Sequence, residues 1–447
     1  MAHELAHRIL SDLSTAFQRH PNIDEVGFIC CPTCQHNRSP VVVENNKLGI
    51  ETWCLELIFP YAHDKVLRAR GRDDSGRKIK VSRSARSLLE ATRAVLLVQA
   101  DCLTAWNIRK ELVEAEDLKC TQDLKFAALV LTKHPKSSET FAHRRWLLKQ
   151  IIQKTTSTSL LPSPIAQASH TNGLVAGDQA SSGATAEQPL NTQHGTKAGG
   201  TKLPCDEKLL EAELTVCQSS AERYPSNYYA WTHRAWVVEN VARCHYKILM
   251  KELCDNRHWI SRHISDHSGL QYRQFLLTQL ATHFRLEDAL QDEFLPVLTA
   301  EFELLTDLIT AFPGHEALWY HRRYVFQQWE SVLSMFKCPK SDNSASCKNH
   351  THLQHQHCSE VPVELYTHSA SSFSRDRDDS KLHAAVVQGN KKAKVDSTYT
   401  EHHTIQTELE FCRNIMATSQ DGWQVRLAGS YQHWLQQRIL GQDNKLL

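Results

Sequence analysis

One motif recurs six times along the chain: an aromatic residue or leucine, then arginine three positions later, each time inside a helical pattern. The copies are Trp106-Asn-Ile-Arg109, Phe141-Ala-His-Arg144, Trp231-Thr-His-Arg234, Leu270-Gln-Tyr-Arg273, Trp319-Tyr-His-Arg322 and Trp423-Gln-Val-Arg426, at spacings of 35, 90, 39, 49 and 104. Two stretches between them, Thr155 to Pro204 and Cys338 to Thr400, are poor in clustered apolar residues and read as disordered insertions of 50 and 63 residues. Removing them turns 90 into 40 and 104 into 41, so insertions chosen on composition restore the period. Units of this size bury an apolar face only against their neighbours, which makes the chain a stack of repeats.

Each unit reads as a helical hairpin. Leu298, Phe302, Leu305, Ile309 and Phe312 lead to Trp319; Leu210, Leu214, Cys217 and Ala221 lead to Trp231; Ile405, Leu409, Cys412 and Met416 lead to Trp423. Steps of four and three mark an amphipathic helix with one buried face. Pro135, Pro225 and Pro313 each stand six residues before an anchor, where proline ends one helix and its fixed φ suits the start of the next. The expected fold is all-α, a right-handed crescent solenoid of about six antiparallel hairpins. The boundaries follow: a non-repeat cap over 1–86, repeats 1–2 over 87–154, the first insertion over 155–204, repeats 3–5 over 205–337, the second insertion over 338–400, and repeat 6 with a C-terminal cap over 401–447.

Residues at i and i+3 share a helix face. Each motif arginine is therefore expected beside a buried ring, stapling its hairpin to the next through carbonyls or carboxylates. His143, His233 and His321 precede three of these arginines. Recurring once per repeat and far apart in sequence, they read as packing histidines, not metal ligands.

Composition removes several functions. Lys plus Arg number 51 against 50 Asp plus Glu, and a net charge of +1 does not suit a phosphate-neutralising surface. No run of 18 apolar residues offers a membrane span, and the charged, amphipathic first 20 residues do not resemble a secretory leader. The 14 cysteines form no disulfide framework, so the expected setting is cytoplasmic. Cys30-Cys31-Pro-Thr-Cys34 with His36 contains one Cys-x-x-Cys without a second pair at zinc-finger spacing, and Cys54 is the nearest later thiol; a loop with incidental thiols is the default reading and a zinc site the alternative. His350, His352, His355, His357 and His368, and the basic run Lys391, Lys392 and Lys394, lie in low-complexity sequence and read as solvated linker before metal tract or import signal. No phosphate-binding glycine loop, nucleophile elbow or strand framework is evident.

Pro225-Ser-Asn-Tyr-Tyr-Ala-Trp-Thr-His-Arg-Ala-Trp236, Phe141-Ala-His-Arg-Arg-Trp146 and Trp319-Tyr-His-Arg-Arg323 resemble the repeat of protein prenyltransferase alpha subunits, with the pattern Asn-Tyr-x-x-Trp-x-x-Arg-Arg/x-Trp. The resemblance covers roughly Ser87 to Lys337 and Glu401 to Leu440. It implies a crescent wrapped around a beta subunit that carries the zinc, the lipid pocket and most of the peptide site, so that no cofactor is bound by this chain itself. The co-substrate is a prenyl diphosphate, and the protein substrates carry a C-terminal cysteine. Zinc lowers the thiol pKa for attack on the first prenyl carbon, and cationic groups stabilise the departing diphosphate. The family's alpha-subunit lysine falls on Lys136, as the catalytic contribution of this chain, and the Asn-Tyr pair of the next repeat falls on Asn227 and Tyr228, expected to face the substrate cleft. Ser137 and Ser138 replace the Asn-Tyr that follows the lysine, and Glu139 stands where a farnesyltransferase-type subunit has Gln. Trp106-Asn-Ile-Arg-Lys-Glu111 resembles the Rab geranylgeranyltransferase type more than the farnesyltransferase type, which implies a Rab-type beta partner without nucleic-acid binding or membrane insertion.

Two functions compete on these residues. One is the alpha subunit of a heterodimeric protein geranylgeranyltransferase, inactive alone. The other is a non-catalytic helical-repeat adaptor that uses the same surface for another protein; Ser137, Ser138 and Glu139 keep it open.

Overall fold

The structure, a computed structural model, describes residues 2–31, 38–70, 85–159, 206–286, 291–337 and 404–443. The elements are α1 (Ala2–Arg19), β1 (Glu25–Ile29), β2 (Val41–Glu44), β3 (Lys47–Glu51), α2 (Leu55–Arg68), α3 (Ala85–Val98), α4 (Leu103–Glu114), α5 (Cys120–Lys133), α6 (Ser138–Ser159), α7 (Glu207–Arg223), α8 (Tyr228–Asn240), α9 (Tyr246–Arg262), α10 (His267–Leu286), α11 (Gln291–Ala311), α12 (Glu316–Lys337), α13 (Ile405–Thr418) and α14 (Gly422–Asp443). They divide into two compact units, Met1–Leu286 and Glu287–Leu447.

From α3 onward the first unit is four hairpins, α3/α4, α5/α6, α7/α8 and α9/α10, and the second unit holds α11/α12 and α13/α14. The fold is an all-α repeat of the expected kind. Leu298, Phe302, Leu305 and Ile309 are buried as their spacing requires, whereas Phe312, past the end of α11, is 41% exposed. Pro135, Pro225 and Pro313 lie in the turns between first and second helices. Four of the six second helices start on side-chain caps, each satisfying a backbone amide left open in the first turn: Ser137 Oγ accepts from Thr140 N, Asn227 Oδ1 from Ala230 N, Asp266 Oδ1 from Gly269 N and Asp421 Oδ1 from Gln424 N.

The N-terminal region corrects the expectation that strands are absent. β1 pairs parallel with β3 and β2 antiparallel with β3, in the order β1-β3-β2. Asn45 and Asn46, at φ 48° and 62°, make the two-residue turn from β2 to β3, a conformation that asparagine tolerates. Ile9, Leu10, Leu13, Val26, Leu48 and Ile50 join one core with Leu88, Ala91 and Val95 of the first hairpin. Val26 N also donates to Thr132 Oγ1 of α5 at 3.1 Å. Strands of four and five residues carry little periodicity of their own, and packing on α1 and α5 completes them.

No described helix is long and apolar enough to cross a membrane. Cys34, His36, the histidine tract, the Lys391 to Lys394 run and most of both insertions lie outside the described residues.

Candidate functional site

The motif arginines lead directly to the molecule's main electrostatic feature. Arg109, Arg144, Arg273 and Arg322 are at most 2% exposed and Arg234 is 7% exposed, so each guanidinium must find its partners within the protein. In four cases the partner is a carboxylate on the first helix of the next hairpin. Arg109 Nε and Nη2 donate to Asp123 Oδ1 at 2.8 and 2.5 Å. Arg144 grips Glu213 at 3.2 and 2.5 Å, Arg234 grips Glu252 at 2.6 and 2.9 Å, and Arg322 grips Glu408 at 2.7 and 2.8 Å, each through Nε and Nη2. The third donor, Nη1, goes to a carbonyl 20 residues earlier in the arginine's own hairpin: Leu124 from Arg144, Leu214 from Arg234, Leu253 from Arg273 and Phe302 from Arg322.

Every carboxylate of this series also receives a group from its own hairpin. His143 Nε2 meets Asp123 at 2.7 Å, His233 Nε2 meets Glu213 at 3.2 Å and His321 Nε2 meets Glu301 at 3.4 Å. The Tyr272 hydroxyl donates to Glu252 at 2.5 Å and the Tyr431 hydroxyl to Glu408 at 2.9 Å. The expected stapling role of these arginines therefore holds at Arg109, Arg144, Arg234 and Arg322. Sequence reasoning missed the acids, although the constant interval of 20 residues in Asp123–His143, Glu213–His233, Glu252–Tyr272 and Glu301–His321 was there to find.

The electrostatics agree with ionised carboxylates and neutral imidazoles. Burial would raise Asp123, but Arg109 and His143 bring it down to about 2; Glu213 is likewise held low by Arg144 and His233 against its burial. Burial pushes His143 and His233 down, opposed by those same carboxylates. Nδ1 of each ring is buried with no hydrogen-bond partner, which suits an acceptor lone pair far better than a second N–H. In both cases the unfolded chain binds more protons, so stability rises with pH. Acidification is expected to destabilise the first unit once the pH drops below the ordinary histidine value near 6.5, and again as it falls from about 4 through the folded Asp123 value of about 2. Urea midpoints measured across pH 7 to 5 check the first window, and His233→Gln should flatten the slope there.

The sixth motif departs from the other five. Trp423 is 46% exposed and Arg426 lies in water, their contact being a 5.4 Å stack of guanidinium on indole. Because α14 begins at Gly422, Trp423 sits at the second helical position, before the helix meets the core. Gln424 takes the buried place instead, donating to Ile309 O at 2.9 Å and accepting from Gly314 N and Trp319 Nε1. Gly314 fits that turn at φ +84°, in the left-handed region.

Lys136, Asn227 and Tyr228 lie at one edge of the first unit, formed by the turns between first and second helices. Asp101 Oδ1 accepts from Ser137 Oγ and Glu139 N; Asn227 Nδ2 donates to Pro135 O at 2.6 Å; Ser268 Oγ donates to Ser226 O. Lys136 is exposed with Nζ 4.3 Å from the Tyr224 ring centroid. Tyr228, 55% exposed, packs edge-on against Tyr229. Exposed on these turns are one ammonium and the phenols of Tyr224, Tyr228 and Tyr229, beside the carboxylate of Asp101 that caps the start of α6.

Asn227 is not among these exposed groups. It is fully buried, with Nδ2 on Pro135 O and Ser220 O and Oδ1 on Ala230 N, so its role is to cap α8 and tie two turns. Ser137 does the same capping for α6, which makes the Asn-to-Ser change structurally conservative. The loss of a phenol at Ser138 is the substantive departure. Among the described residues no His, Cys, Asp and Glu side chains converge as a metal centre would need.

Hairpins coupled by buried arginine–carboxylate pairs along a row of capped turns define a helical-repeat protein of the prenyltransferase alpha-subunit type. The protein prenyltransferase alpha subunit repeat model matches residues 120–151, 210–241 and 298–329, the hairpins α5/α6, α7/α8 and α11/α12. The human protein prenyltransferase alpha subunit repeat-containing protein 1 is 34% identical over 96% of both chains, and the zebrafish (Danio rerio) protein of that name 35% identical over 98% of both. The mouse geranylgeranyl transferase type-2 subunit alpha is 26% identical over 55% of this chain and 34% of its own length. The chain belongs to the protein prenyltransferase alpha subunit repeat family.

Proposed function

We propose that this chain is the alpha subunit of a heterodimeric protein geranylgeranyltransferase acting in the cytoplasm. In this reading it scaffolds a Rab-type beta subunit that carries the zinc and attaches geranylgeranyl, from its diphosphate, to C-terminal cysteines of target proteins. The observation that carries the proposal is exposed Lys136, its ammonium over the Tyr224 ring, in a turn tied through Asn227 Nδ2 and Pro135 O to the turn that starts the helix of exposed Tyr228. Such an ammonium stabilises charge that develops on a departing diphosphate. Half-buried Trp146 and Trp236 on the second helices, with Lys110 and Lys149 Nζ 6.0 and 5.9 Å from their ring centroids, add an aromatic and cationic surface suited to a protein partner. The similarity to a geranylgeranyl transferase subunit favours that lipid over farnesyl.

The test is co-purification with Rab-type and farnesyltransferase-type beta subunits, then transfer of labelled geranylgeranyl diphosphate to proteins ending in cysteine. Lys136→Ala is expected to slow transfer by about 100-fold while beta-subunit binding stays near wild type, as for removal of one transition-state donor. Pairing only with the farnesyltransferase-type subunit would refute the lipid assignment. A second reading, a non-catalytic adaptor, is favoured by Ser138 and Glu139; it predicts a stable complex without transfer, so that Lys136→Ala has no activity to change.

A further inference from the structure

The recurring motif has a second basic residue, at the fourth position after the anchor in Phe141-Ala-His-Arg-Arg145 and Trp319-Tyr-His-Arg-Arg323. The first arginine of each pair is consumed inside the protein, where Arg144 holds Glu213 and Arg322 holds Glu408. The second is not. Arg145 and Arg323 are half-buried, and neither makes a hydrogen bond or an ion pair among the described residues. Arg323 Nε is fully enclosed without an acceptor, its guanidinium 5.0 Å from the Trp434 ring centroid and 5.7 Å from that of Tyr320. Arg438 stacks on the same indole at 5.1 Å, but its charge is answered by Glu330 at 2.5 Å. Burial pushes Arg145 down, partly offset by Glu139 and Tyr228 nearby.

A guanidinium that has lost part of its hydration and found no acceptor costs free energy in the isolated chain. That cost is recovered when a partner brings the missing acceptor. The ring contacts pre-orient Arg323, so less side-chain freedom remains to be lost on docking. We propose that Arg145 and Arg323, one in each unit, are docking cations, each taking a carboxylate side chain of the protein partner at the second helix of its own hairpin. A protein carboxylate is the acceptor expected, because the partner in the beta-subunit reading is a folded protein surface and a carboxylate matches the planar fork of a guanidinium. The inference rests on the beta-subunit reading given above and names the residues through which that partner binds.

The experiment measures affinity of the full chain for a purified Rab-type beta subunit, with wild type, Arg145→Gln, Arg323→Gln and the corresponding lysine variants, alongside urea unfolding of each chain alone. Each glutamine variant is expected to bind at least about 30-fold more weakly, as when one partner of a desolvated pair is truncated. The lysine variants should fall in between, keeping charge without the planar fork. Unfolding midpoints should move only slightly, because the internal losses are ring contacts for Arg323 and the pull of Glu139 for Arg145, with no hydrogen bond or ion pair among the described residues. Wild-type affinity in both glutamine variants would overturn the docking role and leave the beta-subunit reading standing. A large drop in unfolding midpoint would also overturn it, by showing the arginines to be structural. Failure of the wild-type chain to bind any beta subunit would overturn both.

Discussion

Glu213→Ala is expected to destabilise the first unit by about 3–5 kcal/mol, the usual consequence of removing one member of a buried ion pair. Glu213 and Arg144 side chains are each 2% exposed, and the pair joins α6 to α7 across the 69 residues that separate them. Truncating the acid leaves the guanidinium with only the Leu124 carbonyl and takes the acceptor from His233. Urea unfolding followed by circular dichroism reads the loss. The triple variant Arg144→Met, Glu213→Leu and His233→Phe should recover much of it. Apolar side chains avoid the desolvation that the ion pair must offset, and no buried imidazole is left without its acceptor, although the Leu124 carbonyl loses a donor. A triple variant as unstable as Glu213→Ala would mean that the polar cluster supplies net stability here and not mainly register between hairpins.

Trp231→Ala is expected to cost about 3–5 kcal/mol as a large-to-small change in a packed core, and Trp423→Ala less than about 1 kcal/mol as a surface change. The two tryptophans hold the same place in the motif. Trp231 is 6% exposed, donates to Asp266 at 3.0 Å and packs against Trp259 and Tyr272. Trp423 is 46% exposed and stacks on an arginine that is itself in water. Equal losses would contradict the burial that separates them. Measuring the two side by side also tests whether a motif match by itself reports a structural role.

The hairpin unit was legible because its signals are local. Apolar steps of three and four set the first helices, the prolines set the turns, and the period survived once low-complexity stretches were removed. The burial of Arg109, Arg144, Arg234, Arg273 and Arg322 followed from their place beside an anchor residue. The acids that answer four of them were not legible in the same way. Glu213, Glu252 and Glu408 stand in helices that also carry exposed acids, and what distinguishes them is which face meets the preceding hairpin; Asp123 is the sole acid of its helix, but at its first turn it reads as an ordinary N-terminal carboxylate. Asn227 was misread for a related reason: an Asn-Tyr pair looks like two adjacent polar contacts, but at a helix start the first residue caps inward and the second points to solvent.

By itself, then, the sequence determined an all-α hairpin repeat, the positions of the turns and the arginines that must be buried, because helix periodicity and helix termination depend on neighbours only a few residues away. Tertiary structure decided which carboxylate meets Arg109, Arg144, Arg234 and Arg322, that the sixth motif is turned to water, that the N-terminal region closes on a three-stranded sheet, and that Asn227 ties the turn of Lys136 to that of Tyr228. Those outcomes depend on contacts between hairpins, where burial turns an ordinary glutamate into an obligatory partner and an adjacent arginine into an unanswered charge.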